Sequence, residues 1–305
     1  MENTVRLRTT SLHLQVHHLV VLFSVFVLSL LTLLAQDEGP IAPGAAVERI
    51  ATGYTFLEGP SADTYGNIYF TDIPSERILR WTPGNGVTTY RENTNQANGL
   101  SFDIDGRLLI CEMQTRRITA IDLDGTKTHI ADSFQGRRLN SPNDVWADRN
   151  GGIYFTDPRY GATDDIELDG NHVFYITPTT NEVLQVTTNL VRPNGLVGTL
   201  DGRRLYVADH GGGQTFVYDI QPDGRLNNQR VFVPQGADGI TLDSKGNVYL
   251  TGDDVTIYNP SGILVDSIAV PEPPANLAFG GIEGTTLFIT ARSSLYSVKM
   301  TVTGQ

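Results

Sequence analysis

One phrase recurs six times along this chain: an oxygen-bearing side chain, an apolar stretch, a turn containing glycine, and a second apolar stretch ending in a small or acidic residue. The copies start at Glu58, Asn98, Asn143, Asn194, Asp238 and Asn276. Successive starts lie 40, 45, 51, 44 and 38 residues apart, which is the period of one four-stranded propeller blade per repeat. The central turns fall at Gly66-Asn67, Asp105-Gly106, Asn150-Gly151, Asp201-Gly202, Lys245-Gly246 and Glu283-Gly284, and glycine supplies the positive φ that hairpin turns need. A second set at Gly84-Asn85-Gly86, Asp124-Gly125, Asp223-Gly224 and Ser261-Gly262 marks another hairpin within several repeats. The predicted fold is all-β: a six-bladed β-propeller over residues 47–305, with four-stranded antiparallel blades around a central channel. One closed ring absorbs nearly the whole chain of 305 residues, so a single domain suffices.

The first 35 residues follow a different pattern. Arg6 and Arg8 precede an apolar run from Leu19 to Leu34, then Ala35 and the polar Gln36, Asp37 and Glu38. A basic start, a short apolar segment and a small residue before polar sequence describe a secretory signal peptide. The alternative is an uncleaved membrane anchor through residues 19–34, a run slightly short of the roughly 20 residues of a spanning helix. Residues 36–46 read as a linker. The expectation is export to the periplasm or beyond, with membrane contact only if the segment stays attached.

Formal net charge is −12, and removing the net +1 of residues 1–35 (Glu2 against Arg6 and Arg8) leaves −13. Such a body repels nucleic acid and anionic membrane surfaces, so no nucleic-acid partner is expected. The single Cys111 forms no internal disulfide, and its place in the strand-like LLICE points to a buried, inert thiol.

In a propeller the innermost strands surround the channel, so a residue type recurring at the start of each inner strand arrives at the axis from six directions. Here the six are Glu58, Asn98, Asn143, Asn194, Asp238 and Asn276, all oxygen-bearing and none basic. Carboxylate and amide oxygens with net negative charge suit a hard divalent cation, Ca²⁺ first, with Mg²⁺ or Mn²⁺ as alternatives. Zinc is disfavoured, because His13, His17 and His18 lie in the N-terminal segment and leave only His129, His172 and His210 with one cysteine. The plainer reading is that Asn and Asp cap the strands through local backbone hydrogen bonds; it leaves Glu58, a poor turn residue, without a reason.

At these residues the chain resembles the SMP-30/gluconolactonase family, which includes regucalcin, over about residues 47–300. The resemblance is carried by Leu57-Glu58-Gly59-Pro60, Ser141-Pro142-Asn143-Asp144, Tyr154-Phe155-Thr156-Asp157-Pro158, Pro193-Asn194-Gly195-Leu196, Ala237-Asp238-Gly239 and Ala275-Asn276-Leu277-Ala278-Phe279-Gly280-Gly281, in this order and at blade spacing. It implies one catalytic divalent cation at the axis, held by Glu58, Asn194 and Asp238 with Asn143 as a further or water-mediated ligand. It also implies that Asp238 is the acid/base residue of a lactone hydrolase. Animal members place an Arg where this chain has Ser141, so a sugar contact made by that Arg does not carry over; the SPND form is similar to the bacterial gluconolactonase branch.

The segment Arg159–His172 lengthens the third repeat and is expected to lie over the channel mouth, where loops carry selectivity. Arg159, Tyr160 and His210 are candidate substrate contacts, as are Asn98 and Asp157. Other signals fail. Ser101–Glu112 mimics a calcium EF-hand loop, but its flanks alternate like strands. His210-Gly211-Gly212-Gly213 mimics a lipase oxyanion turn without any G-x-S-x-G elbow, and Gly84-x-Gly86 lacks a dinucleotide context, so no organic cofactor is expected. The alternatives to a lactonase are a phosphotriesterase on the same metal site and a non-catalytic, metal-stabilised binding propeller.

Overall fold

The structure is a computed structural model that describes residues 39–305. The segment read as signal peptide or anchor lies outside the described residues. Six four-stranded antiparallel sheets follow one another along the chain, with no helix among the described residues. We number the blades I–VI from their inner strands: Leu57–Ala62, Ala97–Phe102, Val145–Ala147, Pro193–Gly198, Ile240–Leu242 and Asn276–Gly280. In blades I to V the four strands pair in chain order, as expected when every connection is a hairpin.

Blade VI is different. Its first three strands come from the C-terminal end (Asn276–Gly280, Thr286–Ala291, Ser294–Lys299), and its outermost strand is Glu48–Thr52. Glu48 lies opposite Ser297 and Thr52 opposite Ser294. The two ends of the propeller sequence therefore close the ring in one sheet. Part of the segment expected as a linker belongs to the same closure: Ala42 N–H donates to Lys299 O at 3.1 Å, Thr301 N–H donates to Pro40 O at 2.8 Å, and Ile41 packs on the core of blade VI.

The second strand of each blade shows why the ring is stable. Ile68–Asp72, Leu108–Glu112 and Ile153–Asp157 are buried at every residue, because both faces of a central strand are covered by neighbouring blades and neither faces water. Strands alternating apolar and polar would leave one face wet, whereas IYFTD and LLICE have apolar side chains on both. Cys111 is one of these side chains, and burial pushes its thiol well above the usual range, as an inert core residue requires.

The acidic residue ending several second strands serves as a clamp on the backbone that leads into the inner strand of its own blade. Asp72 accepts N–H groups of Thr55 and Phe56 at 3.2 and 3.1 Å. Asp157 accepts those of Asn140 and Ser141, both at 2.7 Å. Asp209 accepts those of Val191 and Arg192 at 2.9 and 2.7 Å. Another recurring acid closes the first hairpin of a blade: Asp103, for instance, accepts the N–H of Asp105 and Arg107. The EF-hand-like string Ser101–Glu112 is thus a hairpin, with Asp103 in its turn and Glu112 on a second strand.

Candidate active site at the channel mouth

The inner strands do not run straight past the axis. In blades I, II and IV the pairing with the second strand slips between Glu58 and Ser61, between Ala97 and Leu100, and between Pro193 and Leu196. The slips fall on Glu58-Gly59, Asn98-Gly99 and Asn194-Gly195, and a bulge of this kind re-aims the side chain it carries. The following glycine permits close approach of the next blade. A methyl group at Gly195 would stand 2.7 Å from the Asp238 carbonyl oxygen, and one at Gly99 would stand 2.5 Å from Asp144 Oδ1. Ring closure and the placement of the axial side chains are therefore one steric problem.

Asn194 joins three parts of the site. Its Nδ2 donates to Asp238 Oδ1 at 2.5 Å and to the Tyr160 hydroxyl at 2.8 Å. Tyr160 comes from the long connection after Ile153–Asp157, and His210 Nδ1 lies 3.5 Å from its hydroxyl. Glu58 feels the charges of Asp238 and Asp144 and the side-chain amide of Asn276. The carboxylates of blades I, III and V thus act on one another across the axis. Glu58 and Asp144 are buried, at 4 % and 8 % exposure, while Asp238 is partly open to the mouth.

These acids lack a direct ion-pair partner among the described residues, and only Asp238 is offset in part by positive charge farther off. Burial, followed by the charge of Asp238, drives Glu58 well above the usual carboxylate range. Burial raises Asp144 to about 7 against opposing hydrogen bonds from Val145, Leu196 and Asn276. Asp238 is raised by burial too, partly offset by His210, Asn194 and Arg292. Among the described residues no Lys or Arg forms an ion pair with any of the three.

The donor set fits a hard divalent cation: carboxylate and amide oxygens, negative overall, at a partly open position. Among the described residues no group of three His, Cys, Asp or Glu is arranged to hold an ion alone, so the amides of Asn194 and Asn143 would be needed. Asn143 is buried, with its backbone tied to Thr156 O and Gly99 N. Asn98 is buried too, its Nδ2 facing Met113 Sδ at 3.3 Å.

Two expected substrate contacts have other employment. Asp157 is fully buried with both carboxylate oxygens on backbone N–H groups, so it holds the loop before Asn143. Arg159 donates to Ala162 O, Asn140 O and Asp165 Oδ1, fastening its own loop. Conversely, the repeat reading passed over Asp144. Its signal was present: Gly follows the axial residue in blades I, II, IV and V, and in blade III an aspartate stands there.

Comparisons with known proteins identify the family and the fold. The family model for the SMP-30/Gluconolactonase/LRE-like region matches residues 56–293. A gluconolactonase of Zymomonas mobilis is 30% identical, the match covering 83% of this chain and 81% of that protein. A pentonolactonase of Haloferax volcanii is 28% identical over 73% of this chain and 76% of its own. The solved structure of a gluconolactonase from Xanthomonas campestris superposes with a TM-score of 0.81 at 28% identity, covering 87% of this chain and 93% of that one.

Proposed function

The chain belongs to the SMP-30/gluconolactonase/LRE-like family, and from that premise we propose that it hydrolyses lactones of sugar acids at the channel mouth formed by Glu58, Asn194 and Asp238. The observation that carries the reading is the gathering of Glu58, Asp144 and Asp238 without a pairing side-chain cation. Such a site is costly to fold unless an ion offsets it, and its relatives bear the names of lactone hydrolases.

Glu58, Asn194 and Asp238, with Asn143 as a further donor, would hold one divalent cation, Ca²⁺ first and Mg²⁺ or Mn²⁺ as alternatives. When bound, it supplies positive charge to the lactone carbonyl oxygen, where negative charge develops. Asp238 is the residue that moves the proton. Partly open to the mouth, it can reach an attacking water. It accepts one proton from the attacking water as the water oxygen bonds to the carbonyl carbon. The ring C–O bond then breaks, and the same proton passes to the departing ring oxygen, giving a hydroxy acid. Asn194 holds the Asp238 carboxylate in place through the 2.5 Å hydrogen bond. Tyr160 covers the site; burial pushes its hydroxyl up to about 12, so it remains a neutral phenol at the mouth.

The test is a lactone panel assayed before and after chelation, with each divalent ion added back. Turnover insensitive to chelation would remove the metal from the reading, and absence of turnover on every lactone would remove the lactonase. We further propose that the protein acts outside the cytoplasm, on the strength of Arg6, Arg8 and the apolar run 19–34; fractionation of cells making the full chain checks this.

A further inference from the structure

Two arginines near the mouth of this acidic channel form no direct ion pair among the described residues. Other arginines near the second-strand ends are neutralised: Arg77 by Asp72 at 2.9 Å, Arg117 by Glu112 at 2.9 Å, and Arg116 and Arg159 by Asp165 at 3.0 and 2.5 Å. Arg192 and Arg292 are exposed and take part in no ion pair among the described residues. Each instead lies over an aromatic ring. The Arg192 guanidinium carbon is 5.1 Å from the centre of the Tyr160 ring, and that of Arg292 is 5.3 Å from the centre of the Phe56 ring.

Their places in the fold set them on two flanks of Asp238. Arg192 lies two residues before Asn194, whose amide touches both Asp238 and Tyr160. Arg292 follows the second strand of blade VI, and its charge acts on Asp238. Arg292 also holds φ at 47°, where glycine would be unstrained, so its guanidinium is presented at a conformational penalty. Stacking on a ring orders a guanidinium while leaving its N–H edge free, which is the geometry that receives a carboxylate or phosphate through paired hydrogen bonds.

A neutral polyhydroxy lactone gains little from two such charges. An anionic one, repelled by Glu58, Asp144 and Asp238, would gain a great deal. We propose that Arg192 and Arg292 select lactones carrying an anionic group, carboxylate or phosphate, away from the ring carbonyl; the inference rests on the lactonase reading above.

The experiment measures kcat and KM of the full chain and of Arg192→Ala, Arg292→Ala and the corresponding Lys variants on three substrates. These are glucono-1,5-lactone, its 6-phosphate, and a lactone of the same acid oxidised to a carboxylate at C6. The parent should favour one or both anionic lactones. Each Ala variant should lower the anionic-to-neutral ratio of kcat/KM about ten-fold, chiefly through KM, with Lys restoring part of it. The preferred anion separates phosphate from carboxylate. A parent that favours the neutral lactone, or Ala variants that depress all three substrates equally, overturns the proposal. A second measurement compares binding of gluconate with that of 6-phosphogluconate and of glucarate to parent and variants. If no lactone is opened the hydrolase reading fails by itself, and this binding comparison still decides the arginine pair: tighter, Arg-dependent binding of either doubly substituted acid upholds it, and binding of both no tighter than gluconate overturns it.

Discussion

The carboxylates at the axis and those at the ends of the second strands recur with the same blade period, yet their surroundings are opposite. Glu112 illustrates the second kind. Burial alone would raise it, but Lys127, Thr115, Arg117 and Thr119 all bond to it and hold it at about 2. Asp144, also buried, meets three neutral donors and no Lys or Arg, and is raised to about 7. A buried carboxylate surrounded by donors strengthens the fold as an anion, whereas one facing other carboxylates weakens it until a proton or a cation arrives. Asp157 lies between the two kinds: it accepts two backbone N–H groups and burial still lifts it to about 7. Burial alone therefore does not separate fastening acids from acids poised for chemistry; the partners do.

The sharpest test of that division is Asp238→Asn, expected to lower kcat by about 10²-fold or more with the fold intact by circular dichroism. A variant retaining most of its turnover would move the base elsewhere. Next in size is the response to ions. Chelated protein given a saturating divalent cation should gain about 3 kcal/mol, a rise of about 5–10 °C in Tm by calorimetry. The gain should be larger at pH 8 than at pH 5. Asp144, raised in the folded state, contributes stability below its unfolded value of roughly 4 and loses it as pH climbs toward about 7, so the cation has more to offset at high pH.

Glu112→Gln should cost about 2 kcal/mol near neutrality, because it removes the anion that Lys127 and Arg117 pair with. The sign is opposite to that of Asp144: a carboxyl held at about 2 stabilises above its unfolded value near 4.5, and that stability is lost as pH falls toward 2. The variant should accordingly lose part of the acid limb of the parent's Tm profile. The smallest effect belongs to Asp144→Asn. In chelated protein at pH 8 it should raise stability by about 1 kcal/mol while weakening cation binding; destabilisation there would show that Asp144 belongs with the fastening acids.

Much of this was legible in the chain. The turn glycines and the oxygen-bearing starts at Glu58, Asn194 and Asp238 mark strands and their axial ends, since hairpin chemistry is local and the apolar runs of buried strands leave a trace in composition. Asp157 and Arg159, expected as substrate contacts, have local partners that the sequence did not show. A position near the axis says nothing about which groups already bond to the side chain: Asn140 and Ser141 N–H donate to Asp157, and Arg159 donates to Asp165. Arg192 and Arg292 left no trace in the repeat, because their partners Tyr160 and Phe56 are far off in sequence.

Six blades of four strands and an acidic interior follow from the chain alone, because apolar runs, turn residues and charge act within a few residues of one another. Which acids face one another and which fasten backbone was settled by long-range folding. That outcome depends on closing the ring, where Glu48–Thr52 pairs with Ser294–Lys299, and on the close packing of inner strands that sets Glu58, Asp144 and Asp238 around one axis.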